Sequence, residues 1–383
     1  MRIFPHALLG LFVAAIGCTA EEKKDTAEKK AEKPKLGIGD PTPAIVSATW
    51  AKGPETKIEK GKVYVVEFWA TWCGPCIKSM PHLTSLLEEY KGQGLNVIAV
   101  TTKDENGNTQ EAVQEFLKKR GTRFPFPFAF CTTDATNAAF MDASGTDGIP
   151  ASFVVDQDGK IAFIGHPSEL DDVLPRIFSG KWQGQKSIDE IQKEKDDLDA
   201  ILNRVQTAAE KAEKDNTGKG QEVVTQLVAD AAAAAAADVL KAFPAYEKQY
   251  PIRATQPVFT AVKLAVSLQA RKFDEAGPLS DSLIKQAVEK KDVQTLSRIR
   301  NFWLAKALNP ERKSVGYAVK AADEIVKIEG EEDIAVLLGA AEAHYAAGDK
   351  DKGKQYGDKA LQLAGTDKRA KDSIEKALTG FQK

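Results

Sequence analysis

The chain reads as an α/β domain, with a central mixed sheet flanked by helices, followed by an all-α domain of degenerate helical repeats. Three observations predict this. A strongly apolar run, Val63-Tyr64-Val65-Val66-Glu67-Phe68-Trp69, leads directly into Trp72-Cys73-Gly74-Pro75-Cys76, as a buried strand feeding a helix does. Strand-like and helix-like segments then alternate as far as about Phe178. From about Ser187 the strand patterns stop, and Ala, Lys, Glu, Asp and Leu dominate. A chain of 383 residues with 43% hydrophobic content is long enough for two such cores.

Taken in order, the strand Val63–Trp69 precedes a helix from Cys73 to about Tyr90, with a kink expected at Pro81. Leu95–Thr101 reads as a second buried strand, Gln110–Arg120 as a helix and Phe124–Phe130 as a short extended run. Ser152–Asp156 and Lys160–Gly165 form a hairpin about Gln157-Asp158-Gly159, and a helix near Ser168–Phe178 closes the domain. The polar, Gly-containing segment Ser179–Lys186 is a domain boundary by composition. Beyond it, Ser187-Ile188-Asp189-Glu190 reads as a capping box opening a long amphipathic helix, and Ala231–Ala237 is a high-propensity helical run.

Cysteine placement carries the chemistry. Cys73 at a helix start is exposed to unpaired backbone N–H groups and the positive end of the helix dipole, which can lower a thiol pKa from about 8.5 into the range of about 3.5 to 7.5. Cys73 is therefore the expected nucleophile, and Cys76, one turn on, the resolving thiol. Pro75 suits a first helical turn, where its missing N–H is not needed. A zinc site would need four ligands. Only Cys18 and Cys131 remain as cysteines, and the nearest histidine is His82, so no metal site is expected. The same pair needs no cofactor, the redox centre being the Cys73–Cys76 disulfide itself. Alternation puts Glu67 on the face shared by Val63, Val65 and Trp69, where a buried acid with a raised pKa would suit general-base work on Cys76. Cys131 reads as a small buried residue, and His166 is given no catalytic role.

The segment Val66–Cys76 resembles the active-site region of the thioredoxin superfamily, and more closely its extracytoplasmic TlpA/ResA-type branch. Ile38-Gly39-Asp40-Pro41-Thr42-Pro43 is similar to that branch's entry segment, and Gly148-Ile149-Pro150-Ala151-Ser152-Phe153 to its cis-proline loop. The resemblance covers residues 38 to about 182 and implies a thioredoxin-like fold. It also implies that Cys73 attacks, that Cys76 is the buried thiol, and that Pro150 is a cis-proline facing them, with Trp72, Gly74 and Pro75 completing the active-site loop. Thioredoxin carries an acid at the position of Glu67, though Asp rather than Glu. The implied activity is protein-disulfide oxidoreduction, in the reducing direction. Implied partners are protein thiol or disulfide substrates, often apocytochrome cysteines awaiting haem, and a membrane thiol electron donor. A peroxiredoxin-type thiol peroxidase is a lesser alternative, since Ala70 and Val66 stand where that group has Thr and Pro. A protein-interaction scaffold dominated by the helical domain is another.

The ends of the chain set expectations about place and partners. Arg2 precedes an apolar run from Ala7 to Ile16, too short to span a bilayer and about the length of a signal-peptide core. It ends in Ala15-Ile16-Gly17-Cys18, which resembles a bacterial lipobox with Cys18 as the lipidated residue, although Ala15 stands where an aliphatic residue is usual. Residues 1–18 are thus read as a signal peptide and 19–36 as a charged tether. Residues 37–182 are the thioredoxin-like domain and 187–383 the helical domain. The protein is expected on the periplasmic side, lipid-anchored to a bacterial membrane. A net charge of −2 gives no long-range pull towards nucleic acid. Late in the chain Leu337, Ala340, Ala341, Tyr345, Gly348, Asp349 and Ala360 resemble tetratricopeptide-repeat spacing, echoed near Phe273–Ala276 and Tyr317-Ala318. Gly353 and Gly357 depart from that pattern. Such an array is expected to bind a protein partner.

Overall fold

The computed structural model describes residues 36–309 and 312–382. Cys18, the signal-peptide segment and the tether as far as residue 35 lie outside the described residues. Leu36 already belongs to the folded domain, since it is buried and its N–H donates to the Ala143 carbonyl.

The first compact unit, ending at Lys193, is built on a six-stranded mixed sheet of order β1-β4-β3-β2-β5-β6. Its strands are β1 (Ala48–Lys52), β2 (Val63–Phe68), β3 (Leu95–Thr102), β4 (Phe128–Cys131), β5 (Ala151–Val155) and β6 (Ile161–Gly165). β2 lies between β3, which it pairs in parallel, and β5, which it pairs antiparallel. Every β2 residue is buried because both faces of the sheet are covered, which is why this strand reads as a continuous apolar run. Val63 and Val65 face one core with Trp69, under α1 (Gly74–Tyr90), α2 (Gln110–Arg120) and α3 (Leu170–Phe178). Tyr64, Val66 and Phe68 face the other core, with Phe140 and Phe153. Pro81 lies inside α1, which continues on both sides of it.

Three details differ from the sequence reading. β1 was not anticipated: it is an edge strand paired with β4, bulged between Trp50 and Lys52, and shows no alternating burial. The extended run Phe124–Phe130 joins the ladder only from Phe128, because Pro125 and Pro127 have no N–H to donate. The capping box at Ser187 does not form. The helix α4 (Gln185–Asp215) starts two residues earlier, and Ser187 Oγ instead accepts the Gln183 N–H at 2.9 Å.

The second unit begins at Glu194 and is helical throughout its assigned elements. After α4 come α5 (Gln221–Gln249), α6 (Pro257–Gln269), α7 (Phe273–Glu289) and α8 (Val293–Leu304). They are followed by α9 (Gly316–Glu329), α10 (Ile334–Ala346), α11 (Lys350–Leu363) and α12 (Lys368–Phe381). From α6 onward each helix packs on the next, and several also pack on the one after, as in stacked helical hairpins. The glycines that break the repeat pattern have a steric reason. A Cβ at Gly353 would lie 2.9 Å from the Tyr345 ring, and one at Gly357 2.8 Å from Leu378 Cδ2 of α12. α5 is long and apolar enough to cross a membrane by length and composition. Its buried residues, Val224, Val228, Ala232, Ala236, Val239, Phe243 and Tyr246, form one stripe, much of it in a core with α4 and α6.

The division between units falls at residues 193 and 194 rather than at the composition shift near 187. Ile191 is 5% exposed in the first unit's core, and Trp182 and Ile188 pack against it. Burying an isoleucine contributes about 2 to 5 kcal/mol as judged by truncation. A fragment of residues 36–193 should therefore fold cooperatively and keep the first unit's core, while one of residues 36–186 should melt at least about 5 °C lower. Equal melting temperatures by calorimetry would show that Ile188 and Ile191 add nothing to this core.

Candidate functional site

The end of β2 delivers the site. After Phe68 and Trp69 the chain makes a tight turn, Ala70-Thr71-Trp72-Cys73, closed by the Cys73 N–H donating to the Ala70 carbonyl at 3.1 Å. Cys73 is the N-cap of α1, with extended backbone (φ −76°, ψ 92°), and its Sγ accepts the Cys76 N–H at 3.2 Å. A sulfur in this position satisfies one of the helix's unpaired donors and lies at the positive end of its dipole. Gly74 and Pro75 occupy the first turn, so the proline's missing N–H interrupts no helical hydrogen bond.

Cys73 and Cys76 are joined in a disulfide, their Cα atoms 5.3 Å apart. Both are almost fully covered, 3% and 1% exposed, so in this oxidised state burial alone does not separate the two. Their neighbours do. Trp72 is 48% exposed beside Cys73, whose Sγ lies 3.9 Å from the Ile149 carbonyl. The Ile149–Pro150 peptide bond is cis, and both residues are partly exposed. Both cysteines belong to the core that holds Met80 and Leu83, and Trp72, Ile149 and Pro150 are the more exposed residues around Cys73.

Glu67 is 1% exposed in the strand that carries the site. It pairs across the sheet with Ala99 on β3 and Ser152 on β5, small residues that leave room for the carboxyl. The Ser152 hydroxyl donates to Glu67 Oε2, while Oε1 is buried without a hydrogen-bond partner. Burial raises the Glu67 pKa, opposed by the Ser152 hydrogen bond and the field of His82, and the carboxyl is pushed up to about 8. At neutral pH it holds its proton in the oxidised protein. His82 on α1 in turn pairs with Asp171 of α3 at 3.1 Å.

The remaining sequence candidates lie apart from these groups. Cys131 ends β4 in the opposite core, and burial raises its thiol pKa despite a hydrogen bond with Thr136. His166 caps the turn before α3, its Nδ1 2.7 Å from Ser168 Oγ. Among the described residues no cluster of His, Cys, Asp or Glu has the makings of a metal site. The sequence reading missed Asp104, whose Oδ2 accepts the Trp72 indole N–H at 2.6 Å. The polar stretch Asp104–Asn108 gave no signal beyond that of an ordinary turn.

Comparison with known proteins follows this geometry. A family model described as Redoxin matches residues 38–174. The chain is 31% identical over 152 residues to protein FixW of Rhizobium leguminosarum, a match covering 39% of this chain and 69% of FixW. It is 33% identical over 152 residues to thiol-disulfide oxidoreductase ResA of Bacillus anthracis, covering 38% of this chain and 82% of ResA. Among solved structures, a thiol:disulfide interchange protein of the thioredoxin family from Chlorobium tepidum TLS aligns at 23% identity and a TM-score of 0.31, covering 37% of this chain and 97% of that one.

The buried acid sets a pH dependence. Because the folded pKa of about 8 lies above the ordinary 4.5, the neutral carboxyl's contribution is fully present below pH 4.5 and is lost as the pH rises through 8. Oxidised Glu67→Gln should match wild type in acid and become progressively more stable than it between those values, as read from urea midpoints. Parallel curves over that window would place an ionised Glu67 in the fold.

Proposed function

Because the chain belongs to the ResA family of thiol-disulfide oxidoreductases, within the thioredoxin superfamily, we propose that it reduces disulfides of extracytoplasmic proteins by exchange at Cys73 and Cys76. The observation that carries this reading is the place of Cys73. As N-cap of α1, with its sulfur on the Cys76 N–H, it is the thiol whose charge the helix stabilises.

In the reduced enzyme the Cys73 thiolate attacks one sulfur of the substrate disulfide. A Cys73–substrate bond forms, the substrate S–S bond breaks, and one substrate thiolate leaves and takes a proton from solvent. Cys76 then attacks Sγ of Cys73. The internal disulfide forms and the second substrate thiolate leaves, so two electrons have passed from enzyme to substrate. The Cys76 thiol must lose its proton in this step, and Glu67 is the acceptor we assign. A carboxyl that holds a proton at neutral pH while the disulfide is closed is in the state this transfer would leave. Pro150 and the Ile149 carbonyl line the approach to Cys73 and would align the substrate backbone. No cofactor is needed for these steps.

The enzyme returns to its reduced form by the reverse exchange with a thiol donor, which we place in the membrane. In this reading Cys18 carries a lipid anchor and the following charged stretch spaces the catalytic unit from the bilayer, on the periplasmic side. The helical unit, read as a degenerate tetratricopeptide-like array, would bind a protein partner. Apocytochrome thiols are one substrate class that fits an exchange of this kind.

Trapping tests the proposal. Cys76→Ser should accumulate mixed disulfides on Cys73 that are released by reductant and reveal the substrates by mass. Cys73→Ser should trap none and lose insulin-disulfide reduction, whereas Cys131→Ser should keep it nearly intact. Adducts that form equally well without Cys73 would sink the assignment.

A further inference from the structure

The turn that presents Cys73 is held by the end of β3 and the loop that follows it. Between β3 and α2 the chain runs Lys103-Asp104-Glu105-Asn106-Gly107-Asn108-Thr109. Asn108 is 0% exposed, although an amide that deep is costly unless fully hydrogen-bonded. Its Oδ1 accepts from the Thr71 N–H at 2.9 Å and the Thr71 hydroxyl at 3.0 Å. Its Nδ2 donates to Thr101 Oγ1 at 2.7 Å and to the Thr102 carbonyl at 2.6 Å. The Thr101 hydroxyl passes the restraint on, donating to the Trp69 carbonyl at 2.5 Å. The side-chain amide is thereby saturated.

Asp104 holds the next residue of the same turn. Its Oδ1 closes the loop on itself, accepting the Asn106 N–H at 2.8 Å and the Asn108 N–H at 3.0 Å. Its Oδ2 is left to accept the Trp72 indole N–H at 2.6 Å. Trp69, Thr71 and Trp72, which immediately precede the nucleophile, are therefore all referred to the end of β3 and this loop. The loop gains its own rigidity from Thr109, the side-chain N-cap of α2.

We propose that Asp104 and Asn108 are positioning residues for substrate. Asn108 fixes the path of the turn, and Asp104 fixes the orientation in which the half-exposed Trp72 indole is offered, beside Cys73, to the polypeptide around an incoming disulfide. The substrate class this serves is a disulfide embedded in a peptide chain, because a small disulfide has no flanking residues to rest on an aromatic ring. An indole free to rotate would have to be ordered at each encounter, and that cost would fall on binding.

This inference rests on the dithiol-exchange reading, and a double-mutant cycle separates the two. The measurements are kcat and KM of the intact chain for reduction of insulin and of bis(2-hydroxyethyl) disulfide, with Asp104→Asn, Trp72→Phe and the double variant. Asp104→Asn keeps an oxygen for the loop N–H groups and removes the acceptor facing the indole. The predicted result is a loss of kcat/KM on insulin that exceeds the loss on the small disulfide by about fivefold to tenfold, seated in KM. In the Trp72→Phe background the same substitution should add almost nothing. Equal losses on both substrates, or additive effects in the double variant, would show that the loop serves stability alone. Because Asn108→Ala removes a buried partner set and can fail to fold, it is replaced by Asn108→Ser, which should lower kcat on both substrates. An unchanged kcat for Asn108→Ser would overturn its part. A wild-type chain no more active than Cys73→Ser would instead overturn the dithiol reading itself.

Discussion

The chemistry of this protein depends on one constraint: a sulfur held at the first turn of a helix, where the backbone supplies charge stabilisation that no side chain provides. Cys73 Sγ takes the N–H of Cys76, its own disulfide partner, so the residue spacing that permits the disulfide also places the Cys73 sulfur on the helix dipole. The rest of the first unit can be read as what is needed to keep that sulfur in place. β2 is hydrogen-bonded on both edges and covered on both faces, and four residues separate its end from the N-cap. A strand buried to this degree is among the least mobile parts of a fold, which makes it a sound base for a site that must hold its geometry through repeated covalent exchange.

Glu67 shows the other side of that burial. Everywhere else in β2 the side chain is apolar or, for Tyr64, has its hydroxyl hydrogen-bonded at the strand's edge, donating to the Lys57 carbonyl at 3.2 Å. A carboxyl at 1% exposure with one oxygen unpartnered is destabilising in its ionised form, and a stability-driven sequence would put valine there. Glu67 lies on the β2 face whose neighbours Val65 and Trp69 share a core with the disulfide, and the proposed exchange gives it the proton of the buried thiol. Ala99 on one side leaves the acid room, while the Ser152 hydroxyl on the other and the field of His82, which pairs with Asp171, are the polar influences on it in an otherwise apolar core.

What the sequence made legible, and what it did not, divides along sequence separation. The positions of Cys73, Cys76 and Glu67 could be read because each belongs to a local signal, a strand-to-helix junction or an acid in an apolar run, while Pro150 followed from the family resemblance. The α/β pattern of the first unit and the helical character of the second were legible for the same reason, since periodicity is local. β1 was not, because an edge strand with half-exposed residues has no periodicity to show. Asp104 and Asn108 were not, because their meaning appears only when residue 108 is brought against residue 71, a pairing between two loops that no pattern announces. Gly353 and Gly357 looked like defects in a repeat until the rings and side chains of neighbouring helices were seen to occupy the space a Cβ would need. Composition changes near residue 187, where the charge pattern changes, while packing of the first unit's core continues to Ile191.

The central claim is that the helix start makes Cys73 the thiol that ionises first. Thiolate absorbance of the reduced protein, followed against pH in wild type, Cys73→Ser and Cys76→Ser, tests it most directly. The account predicts one thiolate appearing well below the free-cysteine value of about 8.5, retained in Cys76→Ser and abolished in Cys73→Ser. A low-pH thiolate that survives loss of Cys73 and disappears with Cys76 would contradict it.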